Sequence, residues 1–135
     1  MKQLTKKGIV TDNNGHVAEK GYSFQCIKSF DREKTARPSR IKEWDFYQIT
    51  GGGYTVQLTI GHVTYAGAVS VNVFSLDGKE RYEFPCPLLF PKKKLNLPDN
   101  AHKTGKISYE SKNYSLIYDI QEDYRTFTFS AISKK

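Results

Sequence analysis

Two acidic side chains, Glu43 and Asp45, stand two positions apart in a stretch that has the alternating pattern of a β-strand. Alternate side chains of a strand share a face, so the two carboxyl groups would lie about 7 Å apart. Carboxyl pairs separated by roughly 6.5–9.5 Å can serve as general acid and general base in inverting sugar hydrolysis. The alternative is a structural or ligand-orienting cluster neutralised by Arg37, Arg40 or Lys42. We favour that alternative because the sequence offers no supporting catalytic constellation.

The stretch around these acids, residues 40–47, also contains the only tryptophan of the chain. Charged and aromatic side chains alternate along it, so each face of the predicted strand combines both kinds. A strand with two mixed faces is typical of the wall of a polar-aromatic cavity or of an interface. The residues that we predict to bind a ligand are Arg40, Lys42, Trp44, Phe46 and Tyr47.

Neither a metal site nor a cofactor site is predicted. A zinc site needs about four converging ligands, and the three histidines have neither HxH nor HExxH spacing, which favours solvent or hairpin positions for His16, His62 and His102. The triple glycine 51–53 opens a strand and lacks the Lys-Ser/Thr of a phosphate loop. Cys26 and Cys86 stand alone, without the spacing of a disulfide framework or a zinc knuckle.

Composition predicts an all-β fold. The 135 residues suffice for one domain, and aromatics make up 13% of them, including nine Tyr and eight Phe. Aromatic and β-branched side chains favour pleated, half-buried surfaces, and no stretch keeps helical apolar spacing over several turns. Seven to nine strands are expected, joined mostly by hairpins, in a single domain over residues 1–135.

The formal charge of +7 permits contact with anions but does not require it. The basic residues are scattered, so no nucleic-acid partner is expected. Lys92-Lys93-Lys94 could bind phosphate as a cluster of point charges, although such a run more often lies in a solvated loop. The N-terminal residues lack an apolar signal region, and no run is long enough to span a bilayer. We therefore predict a cytoplasmic protein.

Turn signals in the sequence predict the elements that position the strand at residues 40–47. Asp77-Gly78 predicts a hairpin and Lys112-Asn113 a two-residue hairpin turn, and Asp12 to Gly15 predicts a tight turn near the N-terminus. One or two helical turns fit residues 30–36. Four prolines predict an extended, irregular connection after the strand 81–84, namely Pro85, Pro87, Pro91 and Pro98. A strand that ends the pattern leaves a sheet edge at which copies could associate.

Three blocks of the sequence resemble the bacterial family described as domain of unknown function 2804. They are DNNGHVAEKGY at residues 12–22, RIKEWDFY at residues 40–47 and KLNLP at residues 94–98. Members of that family are usually more than twice as long, so the chain resembles their N-terminal part. The resemblance implies a relation to lipocalin-like proteins, a group that includes carotenoid hydratases, and hence a β-barrel or half-barrel with an apolar cavity.

We therefore expect an antiparallel lipocalin-like barrel, or a strongly curved half-barrel, that binds a small apolar or amphipathic molecule without catalysis. One alternative is a hydratase- or hydrolase-like enzyme that uses Asp45 and Glu43 and needs a second half of the protein. Another is a structural module that forms homo-oligomers through an edge strand.

Overall fold

The computed structural model describes residues 1–91 and 95–132. In these ranges the chain forms nine strands and two 3₁₀ helices, Arg32–Lys34 and Pro38–Arg40. The strands are β1 (Gly8–Ile9), β2 (Lys28–Ser29), β3 (Glu43–Gly51), β4 (Tyr54–His62), β5 (Ala66–Ser75), β6 (Arg81–Leu89), β7 (Gly105–Ser111), β8 (Tyr114–Ile120) and β9 (Arg125–Ala131). The Lys92-Lys93-Lys94 run, with its predicted loop or phosphate contact, lies outside the described residues.

The backbone divides into two compact units. The first contains Met1–Ile41 and Pro98–Thr104, and the second contains Lys42–Leu97 and Gly105–Lys135. In the first unit β1 pairs in parallel with β2 over two residues. The second unit contains the longer strands and the candidate site. The assignment of residues 1–135 to one domain stays a prediction.

The turn predicted near the N-terminus is confirmed in the first unit. The backbone amide of Gly15 donates to the carbonyl of Asp12 at 3.0 Å, and Gly15 has a φ of +78°. The Asp12 carboxylate accepts from the amides of Asn14 and His16, so the side chain holds the turn closed. The helical turn predicted within residues 30–36 is confirmed as the 3₁₀ helix Arg32–Lys34, which Asp31 caps by accepting from the Glu33 amide.

The second unit is built from two antiparallel sheets, with strand orders β3-β4-β5-β6 and β7-β8-β9. Both predicted hairpins are confirmed: residues 76–80, with Gly78 at a φ of +75°, join β5 to β6, and the two residues Lys112-Asn113 join β7 to β8. The all-β prediction is therefore confirmed, and so is antiparallel pairing in the larger sheets. The described strands form three separate sheets and no closed barrel, so of the two predicted forms the closed barrel is wrong for these residues, and the strongly curved half-barrel stays a prediction.

Strand β6 corrects the prediction that prolines end the strand at Phe84. It continues to Leu89 through Pro85 and Pro87, which pair with Ser70 and Ala68 of β5. Proline has no N–H to donate, so it is tolerated where the nitrogen faces the free side of an edge strand. Among the described strands β6 pairs only with β5, so the two prolines remove donors from its open edge.

The core of the second unit lies between the two sheets. Its buried residues are Leu58, Ile60, Val69, Val71, Leu95, Leu97, Ile107, Leu116, Tyr118 and Ile120. Leu95 and Leu97 come from the segment that joins the sheets, with exposed Asn96 between them. Alternation of this kind places both leucines in the core and explains the apolar positions of the KLNLP block.

The strands of the second sheet cross those of the first at a steep angle. On β8, the Tyr114 hydroxyl donates to the carbonyl of Phe84 in β6, while Tyr118 contacts Tyr47 in β3. Four residues of a strand span about 14 Å, which is also about three inter-strand spacings. Strand β8 thus runs across the four-stranded sheet from one edge to the other, in the manner of orthogonally packed sheets.

Candidate functional site

Strand β3 begins at Glu43, so it is shorter at its start than the sequence pattern suggests. Arg40 lies in the 3₁₀ helix Pro38–Arg40, in the first unit, and is not on the strand. Pro38 sets this helix because its fixed φ suits a first helical position. From Glu43 onwards the predicted alternation holds: Trp44, Phe46 and Gln48 face outwards, whereas Glu43, Asp45 and Tyr47 are more buried.

The outward face of β3 borders an open cavity of about 310 Å³, which we call the Trp44 cleft. Its lining residues are Glu43, Trp44, Thr59, Gly61, His62, Val63, Ala66, Gly67 and Ala68. They come from the start of β3, the end of β4 and the start of β5. The Trp44 side chain is 68% exposed beside the cleft. A cavity of this size lies at the small end of the range for ligand-binding sites.

Small residues beside the indole make the cleft possible. Trp44 pairs across the sheet with Gly61, which pairs with Ala68, which in turn pairs with Pro87. A Cβ atom on Gly61 would stand 2.6 Å from the Cβ of Trp44, too close for any side chain at that position. Gly61 and Ala68 therefore form the floor of the cleft, and the Trp44 indole forms one end of it.

Apolar surface continues from the cleft along the same sheet face. Ala66 pairs with Leu89, which is 80% exposed, and Pro87 is exposed on the neighbouring pair. Phe46 lies two residues beyond Trp44 on the outward face and is 47% exposed. An apolar molecule longer than the cleft thus has further apolar surface against which to lie.

A histidine and a carboxylate meet on the inner face of the sheet, opposite the face that carries Trp44. The Nε2 atom of His62 lies 3.2 Å from Oε2 of Glu43, and the two side chains are 2% and 11% exposed. The backbone amide of Thr64 donates to Nδ1 of His62 at 3.1 Å. Because Nδ1 accepts, a neutral ring has its proton on Nε2, facing the carboxylate. Thr64 has a φ of +72°, which costs a β-branched residue conformational energy and aims its amide at the ring.

His62 ends β4 directly before the hairpin turn to β5, as one of the two predicted positions requires, but the predicted solvent position is wrong because the side chain is buried. Its burial is the main feature of the site that sequence reasoning missed. A signal for it exists: Tyr54, Val56, Leu58 and Ile60 alternate on one face of β4, and His62 is the next member of that series. Its register partner is Glu43. Within residues 1–91 and 95–132, no three His, Cys, Asp or Glu side chains lie close enough to hold a metal ion.

A second polar group lies on the inner face of β3. Arg125 of β9 donates from Nε to the hydroxyl of Tyr47 at 3.1 Å, and its guanidinium carbon lies 5.8 Å from the Tyr47 ring centre. The Tyr47 hydroxyl also favours the charged form of the Asp45 carboxyl and so lowers its pKa. Burial raises the pKa of the Asp45 carboxyl, and the Arg125 charge and the Tyr47 hydroxyl oppose this rise without cancelling it. Tyr118 packs edge-on against Tyr47 with 5.3 Å between ring centres.

The structure thus separates the residues that the sequence grouped together. Trp44 borders the cleft and Phe46 shares its exposed face, whereas Tyr47 packs towards the core. Lys42 is exposed just before β3. Glu43 lies beside His62 and Asp45 beside Tyr47, so the two carboxylates have different neighbours. Their acid–base role stays a prediction.

None of the helices in the described residues is long and apolar enough to cross a membrane. A family model described as domain of unknown function (DUF2804) matches residues 1–134. No curated protein and no solved structure shows a significant match to the chain.

Proposed function

The chain belongs to the family described as domain of unknown function (DUF2804), and since that description assigns no activity, we propose from the site geometry that the protein binds a small apolar or amphipathic molecule in the Trp44 cleft. The observation that carries the proposal is an apolar cavity of about 310 Å³ between an exposed indole and a floor of small residues. Ligand sites combine apolar walls with a few placed polar groups. Here Thr59, which pairs with Phe46 on the outward face, is such a polar group.

Trp44 stays largely exposed although it is the kind of side chain that gains most from burial. Burying a large aromatic side chain is worth about 2 kcal/mol or more, yet 68% of Trp44 remains in solvent beside other apolar residues. A ligand in the cleft would cover part of the indole and the adjacent floor. Leu89 and Pro87 extend the apolar surface beyond the cleft, which suits a molecule with an alkyl tail.

Fluorescence of Trp44 tests the proposal directly, because it is the only tryptophan. The purified protein is titrated with eight-carbon amphiphiles below the concentrations at which they form micelles. We expect a saturable change in emission with a dissociation constant in the micromolar range. No saturable change with any of them, in a folded sample, would refute the proposal.

A matched pair of variants locates the binding. Ala68→Leu places a larger side chain on the cleft floor and should weaken binding at least tenfold. Asn72→Leu makes a similar change on the same face of β5, four residues away from the cleft, and should leave binding unchanged. Equal affinities of the two variants would show that the ligand binds elsewhere.

The other two functions that the sequence allows have less support. The acid–base role of Asp45 and Glu43 would need the two carboxylates to act on one substrate, and they have different neighbours. Self-association through an edge is opposed by Pro85 and Pro87 on β6 and by the inward-facing Asp45 on β3, both of which discourage strand addition. The relation to lipocalin-like proteins also stays a prediction.

A further inference from the structure

We propose that the ligand of the Trp44 cleft is an uncharged amphiphile, whose hydroxyl head group hydrogen-bonds to Thr59 and Ser70 and whose alkyl chain lies on the apolar end of the same sheet face. This inference rests on the proposed binding function and adds the chemical class of the ligand. Its starting observation is that Thr59 lines the cleft from the face that carries Trp44, and that Ser70 is its partner on β5.

The two hydroxyls stand side by side on the outward face of the sheet. Phe46, Thr59 and Ser70 pair across β3, β4 and β5 and so form one row of side chains. Residues directly opposite each other in antiparallel strands have Cβ atoms about 4.5–5.5 Å apart. This row lies two residues, or about 7 Å, from the row of Trp44 and Gly61. One head group can therefore reach both hydroxyls while its chain occupies the cleft.

Both hydroxyls are available to a ligand. Thr59 and Ser70 are half-buried, and neither hydroxyl has a hydrogen-bond partner among the residues that the structure describes. On the next row of the face, by contrast, the Gln57 amide donates to the side-chain oxygen of Gln48 at 2.9 Å. A hydroxyl both donates and accepts, so an alcohol head group matches Thr59 and Ser70 in both directions.

A charged head group would find no opposite charge among the described side chains that face the cleft. Glu43 and His62 border it along the chain, but they pair with each other and place their side chains on the opposite face of the sheet. Lys42 is exposed before β3 and is not a lining residue. An exposed ion pair contributes little, whereas a charge that gives up its hydration without a partner costs free energy. The cleft therefore favours a neutral head group.

The polarity of the sheet face sets the direction of the ligand. From Ser70 the outward side chains of β5 continue through Ala68 to Ala66, a distance of about 13 Å along the strand. Ala66 pairs with the exposed Leu89, so the surface on this side is apolar. In the other direction the next outward residue of β5 is Asn72. An alkyl chain thus extends from the hydroxyl pair over the cleft floor towards Leu89.

The first test compares 1-octanol, octanoate and octyltrimethylammonium on the wild-type protein at neutral pH, with Trp44 emission and calorimetry as readouts. We expect octanol to bind at least tenfold more tightly than either charged compound. Equal affinities, or tighter binding of a charged compound, would overturn the assignment of a neutral head group and leave the proposed function intact. Absence of binding by all three would overturn both.

Matched variants test the hydroxyl contact itself. Thr59→Val replaces the hydroxyl with a methyl group of similar size and should weaken octanol binding about threefold to tenfold. Thr128→Val makes the same change at an exposed position of β9 in the other sheet and should leave the affinity unchanged. Ser70→Ala tests the contact from the neighbouring strand and should also weaken octanol binding, even if Thr59→Val folds poorly. If Thr59→Val and Ser70→Ala bind octanol as tightly as the wild type, the role of the hydroxyls is refuted, whatever the order of the three compounds.

Discussion

Replacing Tyr118 with Phe should stabilise the protein, although Tyr118 lies in the middle of the core. The residue is fully buried, and no residue that the structure describes forms a hydrogen bond with its hydroxyl. An unpaired buried polar group costs about 1–3 kcal/mol in desolvation. Burial and the nearby Asp45 charge also raise the pKa of Tyr118, so the hydroxyl stays protonated at any ordinary pH.

The ring itself contributes favourably and is retained in the variant. Tyr118 packs edge-on against Tyr47 and Phe127 at centre-to-centre distances of 5.3 and 5.2 Å. Tyr118→Phe therefore keeps the packing and removes only the hydroxyl. We expect the free energy of unfolding to rise by about 1–3 kcal/mol, which for a chain of this size corresponds to an increase in Tm of roughly 3–6 °C per kcal/mol.

Tyr114 provides the matched control on the same face of the same strand. Its hydroxyl donates to the Phe84 carbonyl at 2.9 Å, so Tyr114→Phe should lower the free energy of unfolding by about 0.5–1.5 kcal/mol. Urea unfolding followed by far-ultraviolet circular dichroism measures both variants. The two changes should have opposite signs. If Tyr118→Phe destabilises the protein as much as Tyr114→Phe does, the Tyr118 hydroxyl has a hydrogen-bond partner and the reasoning is wrong.

Three further predictions concern Gly61, Asp45 and the edge of β6. Gly61→Ala should cost about 1–3 kcal/mol of stability in urea unfolding, because its Cβ would meet Trp44 at 2.6 Å, whereas Gly51→Ala, with open space around it, should change little. The pKa of Asp45 is raised in the folded protein because its carboxyl is buried. The contribution of Asp45 to the free energy of unfolding should therefore be complete below pH 3.8, the ordinary pKa of the carboxyl, and should disappear as the pH rises through the folded pKa. Asp45→Asn should remove this decline in stability with pH. If the variant shows the same dependence of stability on pH as the wild type, Asp45 is not the group responsible. Replacing both Pro85 and Pro87 with Val restores two N–H donors to the open edge of β6 and should cause concentration-dependent association in light scattering; a monomer at high concentration would show that the prolines do not protect this edge.

Local chemistry explains which predictions were correct. Asp77-Gly78 and Lys112-Asn113 specify tight turns through the backbone conformations that these residues tolerate, and the flanking alternation specifies the strands. The predicted end of the strand at Phe84 was wrong because the sequence does not show whether a strand lies at a sheet edge. At a sheet edge Pro85 and Pro87 cost no inter-strand hydrogen bond, whereas inside a sheet each would remove one.

The candidate site was likewise only partly predictable from the sequence. The alternation around Trp44 was sufficient to place charged and aromatic side chains on both faces of β3. It could not separate Trp44, at an open cleft, from Tyr47, against Tyr118 and Phe127 in the core. The spacing of Glu43 and Asp45 suggested a pair, yet His62 and Tyr47 give each carboxylate a different environment.

The sequence alone determined the all-β class, the hairpins and the mixed character of β3, because these depend on neighbours within a few residues. Only the tertiary structure decided that β8 crosses the four-stranded sheet and brings Tyr118 to Tyr47. It also decided that His62 meets Glu43 across β3 and β4, and that Gly61 leaves space beside Trp44. These outcomes depend on register and on the packing of sheets, in which residues far apart in the chain come together.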